Sequence, residues 1–185
     1  MRMVIAGRAG ALVAVATLAG CGKPVSDGAT AVVPTRRAGL WEQVLTRDGK
    51  PGRLGVLDIC LDAAADQKLS AFGQHFGEGK CQRTVTRDRA GVYHFASSCS
   101  LENGAVAKTM GTATGDFGAS YLVHSEVNIS GAPFGPMNGM HVVDLSGRYK
   151  GPCPSGMRPG DVSLGAGLKV NMDRLPKIAE AVGGG

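Results

Sequence analysis

A short apolar segment near the start of the chain constrains everything that follows it. Ala9 to Gly20 is apolar or small at every position, and Arg2 and Arg8 give the chain a positive start. At about 1.5 Å per residue, a helix of this length falls far short of the roughly 30 Å hydrocarbon core of a membrane. The pattern predicts a secretory signal peptide over residues 1–20, and therefore a fold that forms in an oxidising compartment.

The end of this segment resembles the lipobox of bacterial lipoprotein signals. Residues 18–21 are Leu, Ala, Gly and Cys, and in such signals the cysteine becomes the first residue of the mature chain. The resemblance implies a diacylglycerol on the sulfur of Cys21 and an acyl chain such as palmitate on its new amine. Two or three acyl chains hold a protein firmly to a membrane, whereas a single chain leaves it exchanging. Cys21 is therefore the predicted lipid attachment site, and the membrane is a predicted partner.

The residue after this cysteine predicts the destination. It is Gly22 and not Asp, which by analogy with Gram-negative lipoproteins favours the outer membrane over retention at the inner one. We therefore expect an outer-membrane lipoprotein of the bacterial cell envelope that faces the periplasm. The alternative is an ordinary secreted protein, cleaved near Ala16 or Gly20, in which Cys21 is incidental.

Composition limits the class of protein. Removal of the signal leaves about 165 residues, enough for one domain with a core. Hydrophobic residues make up 43% of the chain and charged residues 19%, a balance typical of folded proteins. The 29 glycines and the 5% of aromatic residues favour turns and short strands. The formal charge of +5 falls to about +3 without Arg2 and Arg8, which is too small and too scattered to indicate nucleic-acid binding.

Four cysteines remain once Cys21 is lipidated, and their number favours disulfide bonds. An even count in an oxidising compartment predicts pairing. They form no C-x-x-C pair, so we expect neither a zinc site nor another metal or cofactor on them. The four are Cys60, Cys81, Cys99 and Cys153.

One cysteine pair follows from a predicted hairpin. The arms Cys81 to Asp88 and Gly91 to Cys99 turn at Arg89 and Ala90, which brings Cys81 opposite Cys99 on the same face. A cross-strand disulfide fits there, at the usual Cα separation of about 5.5 Å. This pairing leaves Cys60 with Cys153, although the sequence alone allows three pairings.

The chain divides into a tether, a domain and a tail. Residues 21–37 are small, polar and proline-containing and predict a flexible tether, in which Arg36 and Arg37 are solvated or touch anionic headgroups. Residues 38–154 form the predicted β domain. Residues 155–185 are a Gly/Pro-rich tail, with a possible short helix from Pro176 to Val182.

Alternating apolar residues predict mostly strands within the domain. A helix from Ala63 to about His75, capped by Asp62, is the exception. Its packed stripe consists of Ala65, Leu69, Phe72 and Phe76. The fold class is mainly β: an antiparallel meander that forms a strongly curved sheet or open barrel of about seven or eight strands. The predicted strands are Leu40–Thr46, Leu54–Leu61, Cys81–Asp88, Gly91–Cys99, Ala105–Gly115, Ser120–Ser130 and Met140–Tyr149.

The order of motifs resembles domain-of-unknown-function family 3617, a group of small bacterial envelope proteins. The sharpest motifs are the opening Gly-Leu-Trp-Glu at residues 39–42 and the closing Gly-Pro-Cys at residues 151–153. Cys60-Leu61 before a helix, then Cys81, Cys99 and Gly115-Asp116, stand between them. The resemblance covers about Ala38 to Cys153. It implies a secreted or lipid-anchored domain that is rich in strands and paired cysteines, and it implies no activity.

Few residues form a catalytic pattern. The sequence contains no G-x-S-x-G nucleophile motif and no phosphate-binding glycine loop. His124 and Glu126 share the outward face of one strand, close enough for an acid–base pair or half a metal site, although an ordinary polar strand face is the simpler interpretation. Asp116 belongs to a turn more readily than to a cation loop.

These observations favour a non-catalytic domain. The primary hypothesis is an outer-membrane-tethered periplasmic lipoprotein with a binding role. Its partner is either an apolar ligand in the concave face of the sheet or an envelope protein. One alternative is a metal-dependent periplasmic hydrolase that uses His124 and Glu126. The other is a purely structural envelope lipoprotein.

Overall fold

The described part of the protein forms one open antiparallel sheet of ten strands. The computed structural model describes residues 29–70, 72, 80–101, 104–163 and 168–172. Neighbouring strands follow the order β1-β4-β5-β6-β7-β8-β2-β3-β9-β10, so the edge strands β1 and β10 do not pair with each other. The strands are β1 Ala29–Thr30, β2 Gly39–Arg47, β3 Lys50–Leu61, β4 Lys80–Arg87, β5 Tyr93–Ser100, β6 Val106–Asp116, β7 Ser120–Ser130, β8 Gly139–Gly151, β9 Asp161–Ser163 and β10 Lys169–Asn171.

The predicted fold class is confirmed, with more strands than expected. Strands β4 to β8 form the meander, and the β2–β3 hairpin adds to it beside β8. The bounds of β7 match the prediction, because its alternation of buried and exposed residues is strict. The extra strands are β1, β9 and β10, which are two or three residues long. Strands this short carry almost no periodic signal.

The first hairpin turns more tightly than predicted. Asp48 and Gly49 occupy the turn with φ values of 52° and 72°, and β3 begins at Lys50. Positive φ at both central residues is the conformation that an Asp-Gly pair favours in a two-residue hairpin. The structure therefore replaces the predicted loop over residues 47–52 with a two-residue turn.

The single described α-helix, α1, spans Ala63–Leu69 and is shorter than predicted. Asp62 caps it, since its carboxylate accepts a hydrogen bond from the Ala65 amide at 2.8 Å. The helix ends before Ser70. The Ser70 hydroxyl accepts a hydrogen bond from the Phe72 amide at 3.3 Å, and such a local side-chain bond competes with helical backbone hydrogen bonds. The predicted C-terminal part, with His75, lies outside the described residues.

Aromatic side chains fill the face of the sheet that α1 covers, which we call the inner face. Trp41 is fully buried there and lies 5.5 Å from the Tyr121 ring. The Phe117 ring stacks on Tyr121 at 5.2 Å, and Phe72 stacks on Phe95 at 4.9 Å. Most of the aromatic residues that the structure describes therefore concentrate in one cluster, which forms much of the core.

The last part of the predicted tether belongs to the folded domain. Ala29 and Thr30 pair with β4 as strand β1, and the Ala31 amide donates to the carbonyl of Val85. Arg36 is only 4% exposed, so it is not solvated as predicted. The domain therefore begins before residue 38, and residues 21–28 lie outside the described part of the chain.

The predicted tail also contributes to the sheet. Strand β9 pairs with β3 at Asp58 and Ile59, and β10 pairs with β9. Val162 is buried in the core through this pairing. The domain therefore extends past residue 154, to at least residue 172, while the possible helix from Pro176 to Val182 lies outside the described residues.

Both proposed disulfides are present. Cys81 and Cys99 lie directly opposite each other in the β4–β5 hairpin, and Cys60 pairs with Cys153. The first bridge closes a sequence separation of 18 residues and the second one of 93. On the chain-entropy model these loops correspond to about 3 and about 4.5 kcal/mol of stabilisation.

Candidate functional site

The outer face of the sheet, opposite α1, carries a groove with a histidine–aspartate pair in it. The groove has a volume of about 420 Å³ and crosses strands β6, β7, β8 and β2. Its outward-facing lining combines hydroxyl, aliphatic and ionisable side chains, namely Val44, Thr46, Thr112, Thr114, Leu122, His124, Asp144 and Ser146.

His124 pairs with Asp144 and not with Glu126. The two residues are directly opposite each other in β7 and β8, and His124 Nδ1 lies 2.6 Å from Asp144 Oδ1. Glu126 faces Met110 and Val142 across its own strand pairs. The candidate pair of His124 with Glu126 is therefore replaced by His124 with Asp144, and Glu126 is an exposed strand residue, in line with the simpler interpretation. Only the register of β7 against β8 places Asp144 there, which the sequence of one strand does not reveal.

The pair has part of what acid–base catalysis requires. A carboxylate on Nδ1 orients an imidazole and leaves Nε2 available to take up a proton. Both side chains are about half exposed, at 54% and 50%, so water surrounds them and weakens their electrostatic effect. In the described part of the chain, no hydroxyl or thiol hydrogen-bonds to Nε2 of His124.

The other two described histidines lie apart from this groove. His94 contacts Asp88 at 3.0 Å near the β4–β5 turn, and His141 contacts Asp48 at 3.1 Å beside the β2–β3 turn. Among the residues that the structure describes, no group of three or more His, Cys, Asp or Glu side chains converges as a metal site.

The loop between β7 and β8, residues 131–138, is the second candidate site, and we call it the tip loop. Asn138 fixes its ends, because its side chain accepts from the amide of Ala132 at 2.8 Å and donates to the carbonyl of Ala132 at 2.9 Å. A 3-10 helix, Gly135–Met137, fills the middle. The loop is therefore held by its own hydrogen bonds, although its glycines and prolines predicted no regular structure.

His141 of β8 and Asp48 of the β2–β3 turn brace the tip loop. His141 contacts the carbonyl oxygen of Met137 through Nε2 at 3.2 Å and the carboxylate of Asp48 through Nδ1. Asp48 also accepts from the Val142 amide at 2.8 Å. The hydrogen bond from the Val142 amide has the largest effect on the pKa of Asp48, and the hydrogen bond with His141 has the next largest. Both hold this pKa below its usual value of 3.8. A charged Asp48 therefore ties the β2–β3 turn to the base of the tip loop.

The tip loop presents large apolar side chains to solvent. Phe134 is 62% exposed and Met137 is 41% exposed, while Met140, just after the loop, is 57% exposed. A hydrogen-bonded loop that keeps apolar groups in water is typical of a surface that binds a partner. The sequence singles out Phe134 and Met137 as apolar residues on a loop but does not predict that the loop is fixed.

Cys21, the predicted lipid attachment site, lies outside the described residues. In the described ranges, no helix has the length and apolar character needed to cross a membrane.

Comparison with known proteins assigns a family without assigning an activity. No curated protein and no solved structure matches the chain. A family model described as "Protein of unknown function (DUF3617)" matches residues 36–153. This range begins at the buried Arg36 and ends at the disulfide cysteine Cys153, and it covers more than half of the chain. The protein therefore belongs to the family described as DUF3617.

Proposed function

We propose that this protein is a periplasmic lipoprotein, tethered to the outer membrane through Cys21, whose β domain binds another envelope protein without catalysing a reaction. The observation that carries the binding role is the fixed tip loop with exposed Phe134 and Met137. The lipobox at residues 18–21 carries the location.

The disulfides support an extracytoplasmic location. All four cysteines that follow Cys21 are paired, and structural disulfides persist mainly in oxidising compartments such as the periplasm. These two bridges use four of the five cysteines of the sequence. Cys21 is the fifth, as expected if its sulfur carries the lipid.

The packing of the inner face favours a partner protein over an apolar ligand. Trp41, Tyr121 and Phe95 are at most 3% exposed, so the protein's own rings fill the sheet where α1 covers it. An apolar ligand at this place would have to displace a close-packed core. The exposed apolar groups instead lie at the tip loop, outside the core.

The lipid anchor is tested by mass spectrometry of the protein purified from its native host. We expect the mature chain to begin at Cys21 and to carry the added mass of the diacylglycerol and the amide-linked acyl chain. An unmodified Cys21, or free thiols at the four other cysteines, would contradict the proposal.

The binding role is tested with a photo-crosslinking amino acid at Phe134 in the native host. We expect a discrete cross-linked species of one partner, and we expect the purified partner to bind the wild-type domain directly. The matched control carries the same amino acid at Thr114, an exposed strand residue. Equal cross-linking at both positions, or no binding by the purified partner, would overturn the assignment.

A hydrolase is the second candidate, because His124 and Asp144 form an oriented pair in a groove. This alternative requires a hydrolytic activity that His124→Ala abolishes while the unfolding midpoint stays unchanged. Its metal-dependent version also requires bound metal in the purified protein, which elemental analysis measures.

A further inference from the structure

We propose that the β4–β5 turn is the membrane-facing end of the domain, where Arg87 and Arg89 contact the headgroups of anionic phospholipids. This inference rests on the proposed lipid anchor at Cys21. It adds to that anchor an orientation of the domain and a second, electrostatic contact with the same bilayer.

The entry point of the chain carries the first step. Ala29 lies opposite Arg87 and Thr30 lies opposite Thr86, so the described chain enters the sheet beside the β4–β5 turn. The tip loop is at the other end of the sheet, because β7 runs from the end shared with Tyr93 and Ala113 to the loop itself. The eleven residues of β7 span about 37 Å at the usual rise per residue.

The segment between Cys21 and Ala29 is short compared with the sheet. Seven residues separate Cys21 from Ala29, so this segment spans at most about 28 Å when fully extended. This distance is shorter than the length of β7. A lipid on Cys21 therefore keeps the β4–β5 end near the bilayer, while the tip loop can point away from it.

Two exposed arginines lie at this end of the sheet. Arg87 and Arg89 are exposed, and the Arg87 guanidinium lies 5.0 Å from the centre of the Tyr93 ring and donates to the Gly91 carbonyl at 3.3 Å. The carboxylate of the same turn, Asp88, accepts a hydrogen bond from the Val92 amide and contacts His94 in the same hairpin. The turn therefore exposes two arginines to solvent, while its one carboxylate is hydrogen-bonded within the hairpin.

Anionic phospholipid is the partner that this arrangement fits. Basic side chains close to an anionic bilayer contribute about fivefold each to the binding equilibrium. Two arginines alone bind a bilayer weakly, but a lipid on Cys21 holds them within reach of the surface and makes a weak contact effective.

The experiment uses the mature chain, residues 21–185, with Cys21 coupled in vitro to a maleimide phospholipid in vesicles. A fluorescent amino acid is placed at Ala90 in the turn or, as the matched site, at Ser130 beside the tip loop; both positions are exposed. Headgroup-labelled quencher lipids then report contact. On phosphatidylglycerol vesicles we expect strong quenching at Ala90 and little at Ser130, and on phosphatidylcholine vesicles we expect weaker quenching at Ala90.

Substitution of the arginines tests the charges themselves. Arg89→Gln at the turn should shift the contact equilibrium at Ala90 by about fivefold, and the double variant with Arg87→Gln should shift it further. The control variant is Arg47→Gln with Lys50→Gln at the opposite end of the sheet, which should leave quenching unchanged. Equal quenching at Ala90 and Ser130, or no effect of Arg89→Gln, would overturn the inference. Because the lipid is attached in vitro, this result is independent of native lipidation, which the mass spectrum of host material decides.

Discussion

At the level of single residues, the buried ion pair of Arg36 with Asp66 differs most from what the sequence predicted, which was a solvated Arg36. Arg36 Nε lies 2.6 Å from Asp66 Oδ1, and the Arg36 amide donates to the other carboxylate oxygen. The Tyr121 hydroxyl accepts hydrogen bonds from Arg36 and from Gln43. Among the residues that the structure describes, the buried guanidinium nitrogen Nη2 has no hydrogen-bond partner. The network ties the segment before β2 to α1 and to the centre of the sheet.

Asp66→Ala should be among the most destabilising single substitutions in this protein. It leaves the Arg36 charge buried without its counter-ion, which costs about 3–5 kcal/mol of unfolding free energy. Urea unfolding measures the loss. The control is the double variant Arg36→Met with Asp66→Leu, which removes both charges and should lose less. A double variant that is less stable than Asp66→Ala would contradict this account.

The Asp48 carboxylate should make stability depend on pH in the acid range. Its pKa is lowered in the folded state by the Val142 amide and by His141, so the charged form stabilises the fold above the usual value of 3.8. That contribution disappears as the pH falls below about 4 and through the lowered pKa. Asp48→Asn keeps the positive-φ turn but removes the charge.

We therefore expect wild type to be more stable than Asp48→Asn at pH 7 and the difference to vanish at acid pH. Urea unfolding at a series of pH values measures it. Glu126→Gln, which removes a carboxylate from the exposed outer face, serves as the control and should follow wild type throughout. A difference between wild type and Asp48→Asn that persists at the lowest pH would rule out the charge as its cause.

At the level of elements, glycines in the strands make room for the rings of the core. A Cβ at Gly147 would overlap the ring of Tyr121, and a Cβ at Gly111 would overlap the ring of Phe95. Both glycines lie on the inner face opposite or beside the ring that they accommodate. The high glycine content is therefore partly a packing requirement and not only a matter of turns.

Gly147→Ala should lower the unfolding free energy by about 1–3 kcal/mol, the usual cost of overpacking a core. The matched control is Gly135→Ala in the tip loop, where an added Cβ meets nothing within 4 Å. Thermal or urea unfolding of both variants compares them directly. Equal stability of the two variants would mean that Tyr121 shifts without cost.

At the level of the whole molecule, the folded unit is longer than the range that the family model matches. The match ends at residue 153, but β9 and β10 continue the sheet and bury Val162. The Gly160 amide also donates to the carbonyl of Cys60, and the Met172 amide donates to the carbonyl of Gly160. The tail therefore completes the edge of the sheet beside β3.

Truncation after Cys153 should cost at least about 2 kcal/mol, since it removes Val162 from the core and exposes Ile59. Truncation after Met172 retains both strands and is the control for shortening the chain. Urea midpoints of the two truncated proteins measure the difference. If they coincide, β9 and β10 do not stabilise the domain.

Local patterns decided much of the structure. Successive side chains of a strand point to opposite faces, a pattern that depends only on neighbours along the chain. This pattern predicted the alternation in β7 and the hairpin in which Cys81 lies opposite Cys99. The sequence by itself also determined the cap at Asp62. It allowed three pairings of the four cysteines, and the structure selects the one that joins Cys60 to Cys153.

Contacts between distant segments decided the rest. The burial of Arg36 depends on Asp66, thirty residues away, and the partner of His124 depends on the register of β7 against β8. Strands β1, β9 and β10 form because an edge of the sheet is available, not because two or three residues favour a strand. Periodicity reports which face of an element is buried, but only tertiary structure determines which residues meet there, because that depends on the three-dimensional path of the whole chain.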